Sequence, residues 1–385
     1  MRPCGILPLN ARYLRPALAG AAATCSGIGL GRFAYVPLFP AMVAAGWIDG
    51  GGAGLIGAVN LAGYLGGVLA GRGVARRFDV PRTLSVGLAL IAVAFAACAW
   101  NGGLWWLVVW RGLAGAAGGV LMSNAGPAVQ AVVAPEQRGA ASGVVIGGVG
   151  AGVTLAALLV PAVLPFGLSA TWLALSALVF GLLAFAHRRW PDPPPEANAI
   201  PLRGEVPAAR ALVLSYALSG AGLVPVMVYL ADLAVRGRGF GLTAGSLIWL
   251  LFGLGGMAGT LTAGRVAPAL GGRRANVVWL GFQVLALGLT LVPGQLAIIA
   301  AALLSGFAAL GITAVLLTAA RERAGILAGV LFVRATIGFA VAQSISGFAM
   351  AALFAASGES HLAIFAAGFA VSVAGLVVAL AERAR

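Results

Sequence analysis

Lysine is absent from the 385 residues, and acids are nearly as scarce, with ten Asp and Glu in all. Only 9% of the chain is charged, 61% is hydrophobic, and the mean hydropathy is +1.02. So little charge excludes a soluble protein of this length, because every surface helix of such a protein needs a polar face. Period-two alternation is also missing, which excludes a transmembrane barrel and leaves helices as the spanning element. The three cysteines, Cys4, Cys25 and Cys98, have no metal-ligand or disulfide spacing and read as small apolar residues. The two histidines, His187 and His361, fall at loop edges, and Met227 and Met257 have no second soft ligand one turn away. A soft-metal carrier is therefore disfavoured, and these methionines read as packing. No nucleotide loop, zinc signature or nucleophile elbow occurs, so neither an ATP-driven pump nor an enzyme is expected, and no cofactor is implied.

What the chain does contain is a succession of apolar runs. Twelve spans are predicted, at roughly 17–45, 52–71, 83–100, 104–127, 139–164, 168–187, 209–234, 242–264, 276–292, 295–319, 325–354 and 361–381. One long polar connection interrupts them, so the reading is an N-terminal six-helix bundle (1–187), a Pro-rich semi-rigid linker (188–208) and a C-terminal six-helix bundle (209–385).

All 24 basic residues are arginine, and the net charge is +14. They form no stripe on a soluble face, so nucleic acid is not the implied partner. Nineteen lie in the termini and in the connections that follow even-numbered spans, against Arg236 and Arg238 on the other side. That bias predicts a multi-pass protein of the cytoplasmic membrane with both termini in the cytoplasm. The first residues hold Arg2, Arg12 and Arg15 without a cleavage site, which reads as a cytoplasmic tail.

The halves repeat at a shared offset. Ser26-Gly-Ile-Gly-Leu30 recurs 193 residues later as Ser219-Gly-Ala-Gly-Leu223, and Gly66 to Arg72 is answered by Gly259 to Arg265. Later the offset is 186, with Glu136, Gly139, Gly143 and Gly152 answered by Glu322, Gly325, Gly329 and Gly338. Parallel repeats of six helices imply two bundles around a central cavity. The glycine-rich spans 2, 5, 8 and 11 are expected to supply close contacts between the halves.

Three arginines, Arg32, Arg111 and Arg334, fall inside spans, and only Asp232 among the acids does so. A guanidinium in hydrocarbon costs about 2.5–3.5 kcal/mol or more, so it is kept where it faces a cavity or a partner. By helical rise Arg32 lies about 22 Å along its span, Arg111 roughly 10 Å and Arg334 about 14 Å, the last nearest the middle. A cationic cavity of this kind suits a small organic anion, since a guanidinium fork matches a carboxylate and keeps its proton. The structural alternative is that Arg32 binds carbonyls freed by Pro37 and Pro40, or pairs with Asp232 as an outer gate. Tyr35 stands three residues after Arg32, Asn60 and Tyr64 share a helix face, and Gln343 lies in the eleventh span. Each of these serves either as a substrate contact or as interhelical glue. Asn124 falls too near the cytoplasm for a central site.

The whole chain resembles the major facilitator superfamily. Gly67-Val-Leu-Ala-Gly-Arg-Gly-Val-Ala-Arg-Arg77 is similar to its cytoplasmic loop signature, with Gly71 at the usual aspartate and Val74 at the usual second glycine. Gly31-Arg-Phe-Ala-Tyr-Val-Pro-Leu-Phe-Pro-Ala-Met42 resembles the first span of the YbfB/YjiJ-like branch, whose members are mostly uncharacterised. Arg111-Gly-Leu-Ala-Gly115 is similar to a motif associated with proton coupling, with Ala114 where glutamine is common. The resemblance implies an alternating-access secondary transporter, usually monomeric, whose cavity is lined by spans 1, 2, 4, 5, 7, 8, 10 and 11. It further implies coupling or gating roles for Arg111, Asp232, Arg72 and Arg76, with protons as the candidate coupling ion and membrane lipid as surroundings. The reading is a carrier of a small organic anion; the alternatives are a proton-coupled exporter of neutral or cationic compounds and a non-transporting receptor or scaffold.

Overall fold

The structure, a computed structural model, describes residues 10–191 and 209–382. Residues 1–9, residues 192–208 of the expected linker and residues 383–385 lie outside the described residues.

Every regular element among the described residues is helical. The helices are α1 (Ala11–Thr24), α2 (Tyr35–Ala44), α3 (Gly50–Phe78), α4 (Val80–Cys98), α5 (Leu104–Val132), α6 (Arg138–Val163) and α7 (Leu168–Ala186). They continue as α8 (Arg210–Gly222), α9 (Val224–Asp232), α10 (Leu242–Leu270), α11 (Gly272–Leu291), α12 (Gln295–Ala324), α13 (Ala328–Ala356) and α14 (His361–Ala381). Local chemistry marks several ends. Asp79 accepts from the Arg82 amide and, with Pro81, starts α4, and Ser360 accepts from the Ala363 amide at the start of α14. Glycines with positive φ stand at the junctions before α7, α11 and α12, where a Cβ would be strained.

Eleven segments of the described chain are long and apolar enough to cross a membrane. One of them, Gln295–Ala356, is 62 residues long and contains both α12 and α13, interrupted by the 3-10 turn Gly325–Leu327 with Gly325 at φ 48°. The difference from the twelve expected spans is this single junction. Large apolar side chains remain exposed along the helices, including Leu69, Val86, Phe180 and Leu362, as lipid-facing surface requires. Trp100 and Trp105 are exposed beside the α4–α5 connection, where interfacial tryptophans are favoured.

Two compact units are present, and their boundary cuts across the sequence repeat. One holds Met1–Ala34, Gly63–Gly102 and Val109–Ala199; the other holds Tyr35–Ala62, Gly103–Val108 and Ile200–Arg385. In the first, α1 packs on α6 around Ala17, Val129, Val133, Ala141 and Val145, and α4 packs on α7. In the second, α12 packs on α10 and α11, α8 on α13 and α14, and α2 on α9. Trp279, Ile312, Leu316, Leu331 and Tyr216 lie at the centre of one buried cluster of the second unit.

Small residues let these helices approach, as expected where lipid supplies no hydrophobic drive between them. The glycines of α3 divide their work. Gly51, Gly54 and Gly57 face Ala355, Tyr229 and Val228 in the second unit, whereas Gly63, Gly67 and Gly71 face α5 in the first. Contact between the sequence halves is thus only part of what these glycines do.

Candidate functional site

The first membrane segment is broken at the stretch that carries Arg32. Gly27, Gly29 and Gly31 weaken the α-helix, and Pro37 and Pro40 cannot donate to the carbonyls of Phe33 and Val36. The backbone responds with a π-helix over Cys25–Leu30, a turn over residues 31–34, and a fresh helix from Tyr35. Bonds of the wider register hold the turn: the Gly31 amide donates to Ser26 O at 2.8 Å and the Phe33 amide to Ile28 O at 3.3 Å. Close packing buries the π-helix. A Cβ at Gly27 would sit 3.2 Å from Gly118 Cα, and one at Gly152 would sit 2.7 Å from Gly29 Cα.

Arg32 lies in that turn, partly buried, with its guanidinium carbon 5.3 Å from the Phe33 ring centre and 5.6 Å from that of Tyr64. Aromatic faces stabilise a cation there without neutralising it. Irregular backbone at membrane depth is tolerated only inside protein or along an aqueous cavity.

Arg111 does different work. Only 1% exposed, it donates from Nη2 to Gly31 O at 2.8 Å, and its guanidinium carbon is 5.7 Å from both the Phe95 and the Trp172 ring centres. Arg111 thus binds a carbonyl of the turn and buttresses it.

The repeated motif breaks its second copy as well. Ser219-Gly-Ala-Gly222 ends α8, Leu223 turns, Pro225 opens α9, and a π-helix follows over Leu233–Gly237. Asp232, at the end of α9, is fully buried, and Arg236 and His361 engage its carboxylate. Arg236 donates to both of its oxygens, Nε to Oδ1 at 2.6 Å and Nη2 to Oδ2 at 2.8 Å, and His361 Nε2 stands 2.8 Å from Oδ2. Arg236 Nη1 also donates to Glu359 Oε2 at 2.5 Å, while Glu359 Oε1 accepts from the Gly50 amide at 2.7 Å. The guanidinium lies 5.9 Å from the ring centres of Phe39 and Phe354. Glu359 holds this position with φ 63°, a left-handed conformation costing roughly 1–2 kcal/mol for a residue with a Cβ.

Sequence reasoning missed Arg236, Glu359 and His361. The i,i+4 spacing of Asp232 and Arg236 was a usable signal; His361 stands 129 residues from Asp232 and left none. Arg238, near this cluster, donates to Thr290 O and Gly294 O, and desolvation draws its guanidinium below the usual arginine range.

The remaining candidates separate. The Tyr35 hydroxyl donates to Ala53 O at 2.8 Å, an interhelical bond to the start of α3. Asn60 is buried in α3. Gln343 is buried and its Nε2 lies 3.0 Å from Met227 Sδ, joining α13 to α9. Arg334 is exposed and is the seventh residue of α13, about 9 Å from its start and therefore far from the middle of a 29-residue helix. Arg72 is partly buried and Arg76 exposed in the last turns of α3, and among the described residues neither joins an ion pair. Asn124 donates to Gly71 O at 3.0 Å in a buried α3–α5 bond. No group of three or more His, Cys, Asp or Glu side chains among the described residues is placed to hold a metal ion.

A family model described as "Uncharacterised MFS-type transporter YbfB" matches residues 24–379. No curated protein matches the chain significantly. Solved structures match it over nearly its whole length. A D-xylose-proton symporter superposes with TM-score 0.72 at 15% identity, covering 96% of each chain. The nucleoside transporter NupG, as a mutant, gives 0.73 at 11% identity, covering 96% of this chain and 99% of its own. A mutant of the peptide transporter POT gives 0.76 at 16% identity, covering 96% and 93%. At these identities the likeness is one of fold.

Proposed function

The chain belongs to the family of the uncharacterised MFS-type transporter YbfB, and from that premise we propose that it carries a small organic anion, a carboxylate in the first instance, by alternating access. It is a multi-pass membrane transporter and not an enzyme. Counting α12 and α13 as separate spans gives twelve helices, arranged as two six-helix bundles with both termini in the cytoplasm. The arginine bias supports that orientation, and a monomer suffices.

The observation that carries the anion reading is Arg32 at the break of the first span. Discontinuous spans place backbone and side-chain polar groups at the depth where carriers bind their substrates. Here the break presents a guanidinium framed by Phe33 and Tyr64, in a turn held from behind by Arg111. A carboxylate suits that guanidinium through the bidentate geometry guanidinium favours. The one intramembrane acid, Asp232, is engaged by Arg236 and His361 and makes a poor site for an organic cation.

The test is a thermal-shift screen of the purified chain against small carboxylates, sugar acids, neutral sugars and organic cations, repeated on Arg32→Gln. A ligand at about a hundred times its dissociation constant stabilises the folded state by about 2.7 kcal/mol. Stabilisation by one carboxylate class, lost in the variant, is expected. Stabilisation by cations or neutral compounds that survives in the variant would overturn the anion reading and favour the exporter alternative.

A further inference from the structure

The cluster around Asp232 joins four stretches of the second compact unit: the start of α3 through the Gly50 amide, the end of α9, the π-helix after it, and the turn before α14. All four meet on the arginine-poor side. We propose that this cluster is a proton-operated latch whose titrating group is His361, closed more firmly when the imidazole is protonated. The proposal rests on the alternating-access reading, since a latch matters only if this side opens.

The charge balance motivates it. Two carboxylates, Asp232 and Glu359, share one guanidinium, Arg236, so with a neutral imidazole the cluster carries one excess negative charge. His361 Nε2–H donates to Asp232 Oδ2, which leaves Nδ1 as the acceptor; that nitrogen faces Gly237, 3.1 Å from where a Cβ there would stand. A proton from solvent adds at Nδ1 with no other bond made or broken. The excess charge is then cancelled, and the hydrogen bond to the Asp232 carboxylate, ionised so far only at its acceptor, becomes charged on both sides.

Water has a route to it. A cleft of about 660 Å³ opens between the π-helix, the α11–α12 connection and the start of α14, and His361, Glu359, Arg238 and Gly237 line it. The groups facing His361 are Asp232 from α9, Arg236 from the π-helix and Glu359 from its own turn. Arg238 lines the same cleft, the Phe354 ring of α13 lies 5.2 Å from the imidazole, and the α11–α12 connection contributes only uncharged residues. Protonation holds the turn of residues 358–361 against α9. Glu359, two residues before His361, thereby stays on the Gly50 amide and keeps the start of α3 in place.

The test uses the full chain in lipid nanodiscs with spin labels at Ala45→Cys and Ala356→Cys, both exposed positions of the second unit, and with Cys4→Ser to remove a competing thiol; Cys25 and Cys98 are buried. Pulsed electron–electron distances are read between about pH 8 and about pH 5.5. The expected result is a rise of about fivefold in the ratio of short to long distances on acidification, from the attraction that a charged imidazole adds to a hydrogen bond whose acceptor is already ionised. His361→Gln, whose amide can still donate to Asp232, should lose the response, and Glu359→Ala should shift the population to long distances at every pH. A response that persists in His361→Gln overturns the proposal, as does its absence in the parent chain while Glu359→Ala opens. A single short distance in every variant would mean that this side does not part, which overturns the alternating-access reading together with the latch. No carboxylate ligand enters the experiment, so failure of the Arg32 anion site leaves the result readable.

Discussion

Arg111 binds Gly31 O from within a shell of Phe95 and Trp172, and Arg32 stands partly buried in the same turn. Removing Arg111 deletes a buried charge-assisted hydrogen bond to Gly31 O, worth about 1.5–3 kcal/mol, and also empties the space between aromatic neighbours. Arg111→Ala should therefore lower thermal stability by about 2–4 kcal/mol, read by unfolding of the purified chain. Arg111→Lys should recover only part of it, because an ammonium cannot reproduce the planar contact with the two rings. A variant as stable as the parent would remove the buttress role. Arg32→Gln, by contrast, should change ligand response more than stability. Both arginines were legible as intramembrane charges. That Arg111 meets the Gly31 carbonyl was not, because this partner lies 80 residues away in the chain.

Among elements, the broken first segment depends on close glycine contacts. A Cβ at Gly152 would lie 2.7 Å from Gly29 Cα and 2.6 Å from Cys25 O, backbone atoms that cannot rotate away. Gly152→Val should therefore destabilise the chain by roughly 1–3 kcal/mol through overpacking. Gly147, on the same helix, has open space where its Cβ would go. Gly147→Ala should be neutral or stabilising by up to about 1 kcal/mol, since alanine is the better helix former. Equal loss in both variants, measured by thermal unfolding, would count against the contact. The doubled motif of Ser26 and Ser219 predicted corresponding elements, and both copies end in a break. The position of the π-helix, before the break in one copy and after it in the other, followed from packing partners the motif does not encode.

Across the whole molecule, the arginine distribution makes a topological prediction. A cysteine at Arg77, exposed at the end of α3, should react with a membrane-impermeant maleimide only in everted vesicles. One at Asn101, exposed between α4 and α5, should react only in right-side-out cells. Reversed labelling would invert the orientation and move the proposed latch to the cytoplasmic face. The two compact units do not follow the sequence midpoint, because residues 35–62 and 103–108 cluster with the second. Hydropathy reports which residues avoid water and is silent on which helices share contacts.

Composition alone decided that the chain is a helical membrane protein, because burying backbone in lipid leaves few solutions and scarce charge rules out the rest. Repeat spacing and arginine placement carried the expectation of two repeated halves and of an orientation, since both are properties of order along the chain. Tertiary structure decided the partners. It set Arg111 on Gly31, gave Asp232 to Arg236 and His361, and brought Glu359 to the Gly50 amide across 309 residues. Hydrogen bonds act over about 3 Å, and only the folded path of the chain determines which distant residues come that close.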